Sequence, residues 1–95
     1  MTTAKRDELI ALARSWRERK IDTDTFISEY WPLRRRLLDS NPELFAGRFA
    51  RLSSNIDTAL SVYSPEPSEP YELDETTLRR DLEPVVRELE ELEAR

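Results

Sequence analysis

Two residue types are missing altogether from this 95-residue chain: it has no cysteine and no histidine. Without cysteine there is no disulfide framework and no thiolate chemistry. Without histidine the usual general base and the commonest metal ligand are gone, together with the side chain that titrates near neutral pH. Glycine occurs once, as Gly47, which leaves little material for the tight turns of a β-protein and none for a glycine-rich phosphate loop. No apolar run approaches the roughly 20 residues of a membrane span. The stretch MTTAKRDELIALA also lacks the long apolar core of a signal peptide. These absences predict a cytoplasmic protein with no membrane, metal or cofactor.

What remains is rich in leucine, arginine and glutamate, all good helix formers. Hydrophobic residues make up 38% of the chain and charged residues 37%. That apolar share is too high for a disordered chain and suits one modest core, so residues 1–95 are expected to form a single domain. The fold class that follows is all-α, an antiparallel four-helix bundle joined by short connections.

Apolar spacing places the helices. The first is expected from Thr2 or Thr3 to Lys20, burying Leu9, Leu12, Ala13 and Trp16. The second opens on Asp22 as N-cap and carries Phe26, Tyr30, Leu33 and Leu37, with Trp31 expected near the core. Pro32 removes a backbone donor inside it, so a kink or break is expected there. Arg34–Arg36 flank and oppose the buried stripe, and pairing with the acidic last helix is the expected use of the flanking two. The third helix is expected to start at Ser40-Asn41-Pro42-Glu43 and to bury Phe45, Phe49, Leu52, Ile56, Leu60 and Tyr63. Gly47 inside it suggests close approach of another helix. The fourth opens on Asp74 and carries Leu78, Leu82, Val85, Leu89 and Leu92, bent by Pro84.

Charge is unevenly distributed. Residues 64–95 hold eleven acids against four bases, a net of −7, whereas residues 1–20 carry +3. Such an acidic end disfavours nucleic acid as a partner and favours something basic. Its densest part is residues 64–75, SPEPSEPYELDE, with five carboxylates (Glu66, Glu69, Glu72, Asp74, Glu75), three prolines and no base. Proline holds the segment extended and lowers the entropy lost on docking. Tyr63 and Tyr71 bracket it, and tyrosine is favoured at interface hot spots. No competing catalytic site emerges. The serines have no accompanying base, the acids lie mostly outside the apolar stripes, and YELDETTL lacks the central glycine of a calcium loop. The expectation is a binding protein, not an enzyme.

An F-x-x-x-Y helix (Phe26, Tyr30) is followed by a long helix ending in Tyr63 and by the acidic connection. The last helix then opens with Tyr71-Glu72-Leu73-Asp74-Glu75-Thr76-Thr77-Leu78. This layout resembles the colicin D immunity protein family. The resemblance implies a small four-helix protein that binds the catalytic domain of a toxin cleaving transfer RNA in or near the anticodon loop. Negative surface charge there imitates the RNA backbone. By the motif the role falls on Glu72, Asp74 and Glu75. By charge and position it extends to Glu66, Glu69 and Asp57, the last expected on the exposed side of the third helix. The partner is then a cognate toxin nuclease domain with a basic cleft, and the free protein is expected to be a monomer. Two other readings stay open: a scaffold or homodimer built on the last-helix seam, and a small nucleic-acid-binding regulator using Arg34–Arg36.

Overall fold

The computed structural model describes residues 6–93. Among these described residues four helices follow in order: α1 (Arg6–Arg17), α2 (Thr23–Ser40), α3 (Gly47–Ser61) and α4 (Glu75–Glu93), with a 3₁₀ turn at Pro42–Leu44. Both α1 and α3 run antiparallel to α4. Arg6 meets Leu92 and Trp16 meets Arg79 across α1 and α4, while Arg48 meets Glu88 and Glu91 across α3 and α4. The protein is an all-α four-helix bundle, as composition and periodicity require. Among the described residues no helix is long and apolar enough to cross a membrane.

The core is made of the expected stripes with local shifts in register. Leu9, Ala13, Trp16, Phe26, Tyr30, Leu33, Leu37, Phe49, Leu52, Ile56, Leu60, Leu78, Leu82 and Leu89 are all buried. Ile10 joins them and Leu12 is half-buried. On α4 it is Val86, not Val85, that reaches the centre, with Val85 and Leu92 only partly covered. A four-four-three spacing fits the 3.6-residue turn here as well as the expected four-three-four does. Because Leu78, Leu82, Val86 and Leu89 are sealed inside their own bundle, that seam is not available to pair two chains. Trp31 is 40% exposed: one residue beyond Tyr30 it has rotated by about 100° and lies edge-on against the Tyr30 ring at 5.3 Å.

The helix ends correct several expectations. The proposed start at Thr2 or Thr3 lies outside the described residues. α1 stops at Arg17, short of Lys20, in a Schellman cap: Lys20 N–H donates to the Ser15 carbonyl (2.9 Å) and Arg19 N–H to that of Trp16 (3.0 Å). Arg19 supplies the left-handed residue, at φ 63°. α2 begins as expected, the Asp22 carboxylate accepting from Thr25 N–H at 2.7 Å, and it runs unbroken through Pro32. Pro32 lies on the exposed face of α2.

The third helix does not begin at Pro42. That residue opens only the 3₁₀ turn, and α3 starts at Gly47 with φ +63°. A Cβ at Gly47 would meet nothing within 4 Å. Its reason is therefore backbone conformation and not helix approach. Ser53 is buried and α3 passes smoothly through Ser53-Ser54-Asn55. The hydroxyl of Tyr30 lies 3.1 Å from that of Ser53 and donates to Asp57 at 2.7 Å.

Arg19 and Gly47 thus form an opposed pair, each in the left-handed region. Arg19→Gly is expected to stabilise the fold by about 1 kcal/mol and Gly47→Ala to destabilise it by a similar amount. Urea midpoints at unchanged slope would register both.

Candidate functional site

The acidic segment is a closed loop. Leu73 N–H donates to the Val62 carbonyl at 2.8 Å, and Ser64 N–H donates to the Leu73 carbonyl at 2.9 Å. These two bonds form a parallel bridge between Tyr63 and Leu73 that clamps the two ends of the nine-residue span 64–72. A compact loop with adjacent ends packed by its own side chains is an Ω-loop.

Inside it Glu72 acts as the organiser. Its Oε1 accepts from Ser68 N–H (2.9 Å), Ser68 Oγ (3.1 Å) and Glu69 N–H (2.9 Å). Glu72 N–H returns to the Glu69 carbonyl at 3.1 Å, closing a turn with Pro70 at its second position, where the fixed φ of proline fits. Ser64 Oγ accepts from Glu66 N–H at 3.3 Å.

The far side of the clamp is held by α4. Asp74 caps it, accepting from Thr77 N–H at 2.8 Å. Glu75 Oε1 accepts from the Thr23 hydroxyl at 2.5 Å, and Thr23 Oγ1 accepts from the Trp16 indole N–H at 3.0 Å. Arg79 lies over the Trp16 ring at 4.8 Å and donates to the Trp16 carbonyl at 2.7 Å. The ends of α1, α2 and α4 are thereby joined beneath the loop.

The expected site residues therefore divide. Glu72, Asp74 and Glu75, the three with motif support, are all engaged inside the protein. Glu66, Glu69 and Tyr71 are exposed, Tyr71 by 67%, and among the described residues no side-chain polar partner satisfies either glutamate. Tyr63 is half-buried. Burial raises its pKa first, and the nearby Glu75 and Asp24 charges raise it further. Asp57 is not on the exposed side of α3. It receives the Tyr30 hydroxyl and pairs with Arg34 Nε at 2.8 Å, so it tethers α3 to α2.

The basic patch likewise dissolves. Arg34 faces Asp57 and the Phe45 ring (5.1 Å), and Arg35 pairs with Asp39. The acids of α4 pair instead with α1 and α3: Glu90 with Arg17 (2.6 Å) and Arg14 (3.8 Å), and Glu88 and Glu91 with Arg48. Among the described residues no group of acids is placed to hold a metal ion.

Two placements carry no signal in the sequence. The hydroxyl of Thr23 is the buried link between Trp16 and Glu75, and the charge of Asp24 acts on Tyr63 across the bundle end. The one local signal was for Glu72, which follows Ser68 by four residues and Glu69 by three. Comparison with family models, curated proteins and solved structures found no match.

The hydrogen bonds set the acid behaviour of the loop. Backbone donation from Ser68, then from Glu69, holds the Glu72 carboxyl below its ordinary pKa, and Thr77 does the same for Asp74. A folded-state value below the unfolded one gives stabilisation that is complete above the unfolded value and lost as pH falls through the folded one. The loop is therefore expected to loosen below the usual carboxylate range while the helices persist. The Ser68 and Glu69 amide resonances in a pH titration would show it, and Glu72→Gln should show the loosened state already at neutral pH.

Proposed function

We propose that this protein is an immunity-type inhibitor, which binds a basic, transfer-RNA-cleaving toxin domain and sets its acidic loop into the RNA-binding cleft. Such a protein acts in the cytoplasm of the cell that makes the toxin, and it works by occupancy, without catalysis or cofactor. The observation that carries this reading is the division of the acids. Among the described residues the α4 carboxylates from Glu75 to Glu91 all have partners within the protein, whereas Glu66 and Glu69 project from a clamped loop with none. Carboxylates so placed can stand in for RNA phosphates against the lysines and arginines of a nuclease cleft. They also speed encounter with a basic partner by electrostatic steering.

Within the reading each residue has its own duty. Glu66 and Glu69 supply charge, and Tyr71 supplies an exposed aromatic anchor beside them. Glu72, Asp74 and Glu75 hold the loop in shape, Tyr63 seats its base, and Asp57 fixes the helix beneath. Because the loop is already ordered, little conformational entropy remains to be lost on binding.

The test is titration against a basic, transfer-RNA-cleaving domain encoded beside this protein, whose presence there the reading requires. Glu66→Lys with Glu69→Lys should slow association at least about tenfold and abolish protection, with helical content and thermal midpoint unchanged. Tyr71→Ala should act mainly on dissociation. Reversal of Glu72, Asp74 and Glu75 should also abolish protection, but with visible loss of loop order. Full protection by the Glu66/Glu69 double variant would refute the reading.

A further inference from the structure

A groove of about 490 Å³ runs between α1 and α2, with no residue of the acidic loop among those lining it. Leu12, Pro32 and Leu33 form its apolar floor, and Glu8, Glu29 and Arg36 stand around it. Most ionised side chains of the bundle find a partner within it. These three do not: among the described residues none of them has an ion pair or side-chain hydrogen bond. An apolar floor framed by unspent charges of both signs is the anatomy of an interface with a polar rim.

The arrangement of those charges identifies what fits. Glu29 and Arg36 are seven residues apart on α2, two turns along nearly the same face, with their midpoint between Pro32 and Leu33. A two-fold axis through that midpoint lays a second α2 antiparallel on the first. It sets Glu29 of one copy opposite Arg36 of the other, twice over, as a self-complementary isologous contact requires. We propose that the groove is the docking site for a second copy of this chain, forming a symmetric dimer with the two α2 helices crossing at Pro32.

Three further features agree. Ser28 and Pro32 lie in one i, i+4 row with Arg36, and their short side chains let two helix axes approach to roughly 8–10 Å. Each α2 then rests in the cleft between α1 and α2 of the other copy, so both grooves are filled at once. Pro32 has no N–H to give the Ser28 carbonyl, which leaves an acceptor at the level that Arg36 of the second copy reaches. Arg36 of each chain would stand between Glu8 of its own chain and Glu29 of the second copy. The contact is small and calls for a weak, salt-sensitive dimer, in place of the monomer expected from sequence. It uses no residue of the acidic loop, and it stands whether or not the loops bind a nuclease.

Sedimentation velocity over a micromolar-to-millimolar concentration series at low salt tests the proposal. The native chain should show reversible dimerisation. Glu29→Arg and Arg36→Glu, both at exposed positions, should each weaken it at least tenfold while circular dichroism stays helical. An equimolar mixture of the two variants should restore association, because the charges are complementary again in the heterodimer. A native chain that stays monomeric to millimolar concentration, variants that dimerise as well as the native chain, or a mixture no better than its components would each overturn it.

Discussion

The buried hydroxyl of Thr23 is the contact on which the working end of this bundle depends. It accepts the Trp16 indole N–H and donates to the Glu75 carboxylate. Three helix ends, the last turn of α1 and the first turns of α2 and α4, are joined through one oxygen. Burying an indole N–H and a hydroxyl is costly unless both are paired, and here each pairs with the other. The Trp16 ring stacks on Phe26 at 4.6 Å, and the Arg79 guanidinium covers it from α4. With α4 held at its first residue, Asp74 is positioned to cap and Leu73 to bridge to Tyr63. The loop then has two fixed ends.

That geometry accounts for an electrostatic arrangement that charge counting alone misreads. The acids at the end of α4 oppose the helix dipole, and this is offset by arginines brought over from α1 and α3. Such exposed or half-exposed pairs contribute only about 0–1 kcal/mol each, so their effect is less to stabilise than to neutralise. In the loop, by contrast, Glu66 and Glu69 have no ion-pair partner among the described residues.

Much of the fold was legible because amphipathic periodicity is local. Phe26, Tyr30, Leu33 and Leu37 fell where the spacing put them, and Asp22 and Asp74 capped as their positions required. What could not be read depended on contacts distant in sequence. Asp57 looked like an exposed acid until Tyr30 and Arg34, more than twenty residues away, turned it inward. Val85 and Val86 are equivalent by composition, and only packing against the neighbouring helices separates them. Gly47 carried a genuine signal, a glycine amid helix formers, but one glycine serves equally for close approach or for positive φ. In the loop the charge was plain and the clamp was not. Tyr63 and Leu73 belong to no strand pattern, so nothing in their spacing announces a bridge, and the residues that most resembled contacts were those occupied in building the loop.

The central claim is that the acidic connection is a fixed platform and not a floppy tether. Amide hydrogen exchange at Ser64 and Leu73 tests this most directly, because their N–H groups form the clamp and nothing else in the segment closes it. The account predicts protection at both comparable to the adjoining turns of α3 and α4, with the Tyr71 amide in the same loop, which donates to no acceptor among the described residues, exchanging much faster. Exchange at Ser64 and Leu73 as rapid as at Tyr71 would contradict it.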